Sequence, residues 1–305
     1  MPPVGVGIVG CAHACRDLHR PVLAKQPGFW EIRALYDLQR ERAESEAALF
    51  GQPAEVTDSL EALLAREEVE LVLVLTKPPT THHEVALKAL QAGKHVMVEK
   101  PMAQTTAQCD ELIQAAREAG VLLTVHQNRR WDDCFTLTRA VTESGRLGEI
   151  KFVRVCMPGA GWDWGSHIVD WGLGLSQGNL EWVTGFAVRA EKGNDEQGFC
   201  GMDLVFDRAP HVVVEFLPVA HATGEPHVFP LFYVLGDKDF YAHPQGAQWP
   251  NMFPFYEGLY RAIREGVAVP VDPRGSRNVI YCLEMMGESA RQGRPLQADN
   301  WLPVD

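Results

Sequence analysis

Short apolar runs alternate with amphipathic helical stretches across roughly the first 124 residues, and this constrains the fold more than any other feature. Val4–Val9, Glu31–Tyr36, Glu70–Leu75, His95–Val98 and Val121–Val125 read as strands. Helices are expected over Arg16–Gln26 and Gln39–Phe50, and as a short segment opened by Asp58 with Glu61. Thr81 with Glu84 opens a further helix that Gly93 ends; Thr105 with Gln108 opens the last, which Gly120 closes. That last helix carries Cys109, Leu112, Ile113 and Ala116 on its apolar face. Strands separated by helices of this length form a parallel, doubly wound sheet of the α/β class.

The pattern changes near residue 125. Residues 150–156, 182–190, 202–206, 211–217 and 229–235 read as strands with few helices between them, which predicts a mainly antiparallel sheet covered on one face. Two helices follow near 254–265 and 276–291, with apolar Leu259, Ile263, Val279, Leu283 and Met286. A length of 305 residues suits two domains, here 1–124 and 125–305. The net charge of 28 − 40 = −12 argues against nucleic acid or an anionic membrane as partner. Apolar runs such as Leu71–Leu75 are too short to cross a bilayer, and the N-terminus lacks a signal peptide's basic region. Seven cysteines without a Cys-x-x-Cys pair predict free thiols in a reduced cytoplasm.

Gly5-Val6-Gly7-Ile8-Val9-Gly10 matches the dinucleotide fingerprint G-x-G-x-x-G but is a decoy. The fingerprint follows a strand and opens a helix, whereas only Pro2-Pro3-Val4 precedes Gly5. With the strand at Val4–Val9, the phosphate turn reads Gly10, Ala12 and Cys15, with Cys11 and His13 among the cofactor-binding candidates. Asp37, 22 residues past Cys15, ends the second strand where an acid would accept from ribose hydroxyls. A carboxylate there repels a 2′-phosphate, so NAD is expected over NADP; a helix N-cap is the competing role for Asp37.

Gly93-Lys94-His95-Val96-Met97-Val98-Glu99-Lys100-Pro101 ends an apolar strand in Glu-Lys-Pro and brings Lys100 to the carboxyl edge of the sheet. Thr76-Lys77-Pro78-Pro79-Thr80-Thr81-His82 reaches the same edge. Val125–Trp131, Ser144–Ile150 and Asp163-Trp164-Gly165-Ser166-His167-Ile168-Val169-Asp170 complete the set. Over nearly its whole length the chain resembles the glucose–fructose oxidoreductase/inositol dehydrogenase (Gfo/Idh/MocA) family.

The resemblance implies a Rossmann dinucleotide-binding domain followed by an α+β domain for substrate binding and oligomerisation. It implies hydride transfer between a secondary hydroxyl of a sugar, cyclitol or related polyol and NAD(P). Carried over residue by residue, Lys100, Asp163 and His167 are the catalytic group, which with Trp131 also contacts substrate. Thr76, Pro78, His82, Glu99, Lys100 and Asn128 join the cofactor contacts. On a helix Asp163, His167 and Asp170 share one face, but Trp and Gly fill the gaps and no metal is expected. Histidine suits the base and a lysine ammonium the developing alkoxide. The expected assembly is a homodimer or homotetramer formed through the second sheet.

The chain departs from the family pattern at several points. The glycine fingerprint is degraded, Arg16–His19 is one residue longer, Pro79 replaces an asparagine, and only Cys156–Trp162 separates the strand from Asp163. Trp162, Trp164 and Trp171 suit either stacking on sugar faces or core packing. Two other activities stay open: sugar-derivative cleavage through transient oxidation, and non-catalytic sensing of a sugar or cofactor.

Overall fold

The computed structural model describes residues 1–158, 162–188, 199–208, 210–217, 231–243 and 251–304. Two compact units emerge, Met1–His126 with Met252–Arg277, and Gln127–Asn251 with Asn278–Asp305.

In the first unit six parallel strands run in the order β3-β2-β1-β4-β5-β6. They are β1 Val4–Val9, β2 Trp30–Tyr36, β3 Glu55–Val56, β4 Leu71–Val74, β5 His95–Glu99 and β6 Leu123–His126. β1 and β4 are buried throughout, as strands covered on both faces must be. Between them lie α1 Arg20–Leu23, α2 Arg40–Phe50, α3 Leu60–Leu64, α4 His82–Gln91 and α5 Thr106–Ala119. The order reverses between β1 and β4, and ligands of open α/β sheets bind outside the strand ends at such a point. Gly10, Asp37, Thr76 and Lys100 all follow carboxyl ends of these strands.

Local corrections have physical causes. The helix expected over Arg16–Gln26 begins as a π-helix at Ala14–His19 and becomes α-helical only at Arg20. This wider turn absorbs the extra residue without rotating the α-helical turn after it. Ser59, not Asp58, caps α3 by accepting from the Ala62 amide, while Asp58 pairs with Arg40. Thr81 does not cap α4; its hydroxyl lies 2.7 Å from Thr76 Oγ1 and 2.9 Å from the Pro78 carbonyl oxygen. Thr105 does cap α5, accepting from the Gln108 amide at 3.2 Å.

Residues 252–277 complete this unit through α8 Phe253–Glu265. Tyr260 stacks on Phe29, with ring centroids 4.4 Å apart. Arg264 donates to both oxygens of Glu70 at 2.7 and 2.8 Å and to the Pro3 carbonyl at 2.7 Å.

The second unit holds a seven-stranded sheet in the order β12-β11-β7-β10-β9-β8-β13. Its strands are β7 Ile150–Pro158, β8 Leu180–Val188, β9 Phe199–Phe206, β10 His211–Leu217, β11 Leu231–Gly236, β12 Phe240–His243 and β13 Leu296–Gln297. Among the described residues only β7 and β10 pair in parallel, so the sheet is mainly antiparallel. Positions 189–190 and 229–230 of the expected strands lie outside the described residues. Helices α6 Asp133–Glu143, α7 Trp162–Gly174 and α9 Pro273–Gln292 complete the order, α9 beginning in the first unit. α7 packs closely on the sheet because Gly165 and Gly172 face it. A Cβ at Gly165 would lie 3.3 Å from Phe216, and one at Gly172 would lie 3.1 Å from Val214.

Candidate active site

The turn expected to hold phosphate follows β1 directly, with Gly10 as its first residue. Gly5 is a strand residue whose absent side chain admits the Glu68 carbonyl, since a Cβ there would lie 1.8 Å from that oxygen. Gly10 makes the turn at φ +94°, and a Cβ on it would lie 2.7 Å from the backbone of Leu75 and Thr76. No other residue fits there. The Arg16 amide donates to the Ala12 carbonyl at 3.0 Å as the first bond of the helical turn, so the amides of Ala12 and His13 precede the intrahelical ladder. Cys15 is fully buried and packs inward, while His13 is exposed and lies 2.5 Å from Asp17.

Asp37 closes this turn from the neighbouring strand. Its Oδ2 accepts the Cys11 amide at 2.7 Å and its Oδ1 the Gln39 amide at 2.8 Å. The second bond closes a local turn ahead of α2, whose N-cap is Gln39 without a side-chain cap bond, so Asp37 is not the cap of that helix. Each oxygen keeps a lone pair for a hydroxyl donor. Gly10's tight turn, the two leading amides and this held carboxylate fit a dinucleotide's pyrophosphate and ribose. Gly10→Ala is expected to cost about 2–3 kcal/mol from the strained φ and the backbone clash. A fall in Tm together with at least a tenfold weaker NAD Kd by calorimetry checks it.

The ends of β4 and β5 are tied by His82. Its ring is buried, with Nε2 3.0 Å from the Thr76 carbonyl oxygen and Nδ1 2.8 Å from that of Pro101. Burial lowers its pKa, so a neutral ring donates to one of the two. His82 thus joins two edge loops, each containing a cis proline bond, Lys77–Pro78 and Lys100–Pro101. Thr76 and Lys100 are half-buried and Pro78 is exposed. The Glu99 carboxylate turns inward, accepting the Lys100 amide at 3.1 Å and two buried histidines, His19 and His126.

In the second unit, Asn128 and Trp131 lie on a short 3₁₀ turn and are half-buried. α7 carries Asp163, half-buried, and His167, 5% exposed, one turn apart on one face. Asp170, the next residue of that face, is held by Arg130 through two bonds of 2.8 and 2.6 Å, a structural ion pair. The three tryptophans separate in role. Trp171 is fully buried and donates to the Arg129 carbonyl at 2.8 Å, and Trp162 is half-buried. Trp164 is exposed, with its ring 5.9 Å from His167 and the Arg129 guanidinium 5.2 Å above it. β7 ends at Pro158 and α7 begins at Trp162; of the short 156–162 connection, 159–161 lie outside the described residues.

Sequence reasoning missed His19, His126 and Tyr256 as site-supporting residues. No local spacing relates them. The one available signal was the extra residue before His19.

Comparison with known proteins agrees with this geometry. Residues 4–127 match the model of the Gfo/Idh/MocA family, described as an oxidoreductase family with an NAD-binding Rossmann fold. An uncharacterized oxidoreductase of Schizosaccharomyces pombe is 34% identical over 193 residues, which cover 57% of this chain and 52% of that protein. The chain thus spans about half the length of that relative. The scyllo-inositol 2-dehydrogenase (NADP(+)) IolW of Bacillus subtilis is 26% identical, covering 97% of this chain and 96% of that one. The solved structure of the oxidoreductase YvaA from Bacillus subtilis matches with a TM-score of 0.80 at 25% identity, covering 97% of this chain and all of that one. With the fingerprint turn, Asp37 and the Glu-Lys-Pro edge all inside the matched region, residues 4–127 form an NAD-binding Rossmann domain of the Gfo/Idh/MocA oxidoreductase type.

Proposed function

We propose that the protein is an NAD-dependent dehydrogenase acting on a secondary hydroxyl of a sugar, cyclitol or related polyol. One observation carries the reading: Lys100 follows the carboxyl end of β5, in the same unit whose turn and Asp37 fit a dinucleotide. When bound, NAD supplies the acceptor for a hydride. The Lys100 ammonium donates to the substrate oxygen and stabilises charge as the alkoxide develops. His167 accepts the hydroxyl proton, and Asp163, a turn earlier on α7, orients the charged group. Trp164 offers an exposed aromatic face beside His167, suited to the C–H face of a sugar or cyclitol ring. Asn128 and Trp131 complete the proposed cofactor and substrate contacts. IolW, a relative over almost the full length, carries an inositol in its name, which supports this substrate class.

The second sheet exposes Trp182 and Val205, paired across β8 and β9, and Leu235 and Phe240, paired across β11 and β12. The sheet face carrying these two pairs, with the Arg154–Glu215 ion pair between them, is the proposed surface for a homodimer or homotetramer.

The deciding experiment screens sugars, inositols and sugar acids for NADH formation at 340 nm with purified protein. Oxidation of one class supports the reading. Product formed without net NADH transfers it to cleavage through transient oxidation, and ligand binding with no hydride transfer transfers it to a sensor. For the cofactor, calorimetry is expected to show tighter binding of NAD than of NADP, and Asp37→Ser should narrow the gap by removing repulsion of the 2′-phosphate. Tighter NADP binding by the unaltered protein would sink the role given to Asp37.

A further inference from the structure

A buried polar array lies behind the Glu-Lys-Pro edge, wholly within the first unit. Glu99, the last residue of β5, is 7% exposed, and both of its oxygens are engaged. Its Oε1 lies 2.9 Å from His19 Nε2 and 2.5 Å from His126 Nδ1. Its Oε2 accepts the backbone N–H of Lys100 at 3.1 Å. On its far side, His19 Nδ1 lies 2.5 Å from the Tyr256 hydroxyl. The two imidazoles pack with centroids 4.6 Å apart, and Phe255 meets His126 edge-on at 4.8 Å.

The proton positions follow from chemistry. Burial holds the Tyr256 phenol well above its usual range, so its hydroxyl is protonated and donates to His19 Nδ1. Burial also lowers the His19 pKa against the pull of Glu99, so the ring is neutral and its one proton sits on Nε2, aimed at Glu99. His126 Nε2 is buried without a hydrogen-bond partner beside Phe255, which puts the His126 proton on Nδ1, also aimed at Glu99. Burial opposes the charge on Glu99, yet His126 and His19 together hold its carboxyl well below the usual range. Three donors therefore converge on one carboxylate.

The π-helical turn Ala14–His19 is what presents His19. Removing one residue from a helix rotates everything after it by about 100°. His19, Glu99 and His126 could also be read as a metal triad. The separations of 2.5 and 2.9 Å are instead those of charge-assisted hydrogen bonds, and both facing nitrogens carry protons that a metal would have to displace.

We propose that His19, Glu99, His126 and Tyr256 are positioning residues for the reaction assigned to Lys100. The clamped carboxylate anchors the Lys100 main chain, so the lysine side chain leaves the sheet edge from a fixed point. The catalytic part rests on the function proposed above. The anchoring part does not.

The test uses the full chain with Glu99→Gln and Tyr256→Phe, and Lys100→Met as reference. In the unaltered protein, nitrogen NMR should find His19 protonated at Nε2 and His126 at Nδ1. Glu99→Gln turns an NH₂ toward either the rings or the Lys100 amide. Exchange of the Lys100 amide should then rise at least about tenfold, the loss of one hydrogen bond to a charged group, while Leu73 in β4 stays within twofold. Tyr256→Phe keeps the ring, releases the His19 tautomer and should raise Lys100 exchange about threefold. If Glu99→Gln does not fold, Tyr256→Phe carries the same readouts.

With a substrate from the screen, Glu99→Gln should lower kcat about tenfold, with KM and the NAD Kd within twofold. Unchanged Lys100 exchange in both variants overturns the anchor. A stoichiometric metal in the purified protein, lost in Glu99→Gln, overturns it in favour of a metal site. Unchanged kcat in both variants beside an inactive Lys100→Met overturns the link to catalysis. Full turnover by Lys100→Met instead overturns the role assigned to Lys100, a pattern separable from the others because amide exchange reads the anchor directly.

Discussion

Lys100→Met is expected to lower kcat by about 10²–10³-fold while the protein stays folded and still binds NAD. The side chain leaves the end of β5 half-buried, so a methionine of similar length fills the same space without the charge. Only the interaction that strengthens as the alkoxide develops is removed, so the loss should fall on kcat more than on KM. Steady-state kinetics beside a melting curve and an NAD titration check all three parts. Unchanged turnover would take Lys100 out of the mechanism.

His167→Asn should slow turnover by roughly 10²–10⁴-fold, the range for losing a general base. His167 is only 5% exposed and sits on a helix packed tightly against its sheet, so the melting control matters here. A fall in Tm with proportionate loss of active protein would assign it a packing role. A selective kinetic loss with unchanged Tm and NAD affinity assigns the base. Asp163→Asn should be milder, since an orienting group acts through its neighbour. Activity should survive a chelator in every case, because Asp170, the remaining member of that helix face, is held by Arg130.

Much of the first unit was legible because its signals are local. A doubly wound sheet follows from alternating strand and helix patterns, and the decoy glycines were exposed by counting residues before the turn. Asp37 was readable as an acid at a strand end. What could not be read was that its carboxylate takes the Cys11 amide as well as the Gln39 amide beside it, since Cys11 lies 26 residues earlier in the chain, and that Gln39 rather than Asp37 is the N-cap of α2. The capping motifs at Asp58 and Thr81 failed for a related reason. Arg40 and Thr76, distant or in a loop, engaged those side chains instead. Glu99 is the clearest case. Its motif marked it as important, but whether its carboxylate faces a ligand or the interior depended on residues far away in the chain, such as Tyr256 acting through His19.

The sequence by itself determined the class of fold, the position of the tight turn at Gly10 after β1, the edge on which Lys100 sits and the shared helix face of Asp163 and His167. All of these depend on periodicities of two or about 3.6 residues and on backbone limits that hold within a short window. Tertiary structure alone decided that residues 252–277 complete the first unit, that Trp171 is core while Trp164 is exposed, and that His19, His126 and Tyr256 enclose Glu99. Those outcomes depend on which distant groups meet once the apolar faces are buried. A buried carboxylate is stable only where donors converge on it, and that convergence exists only in three dimensions.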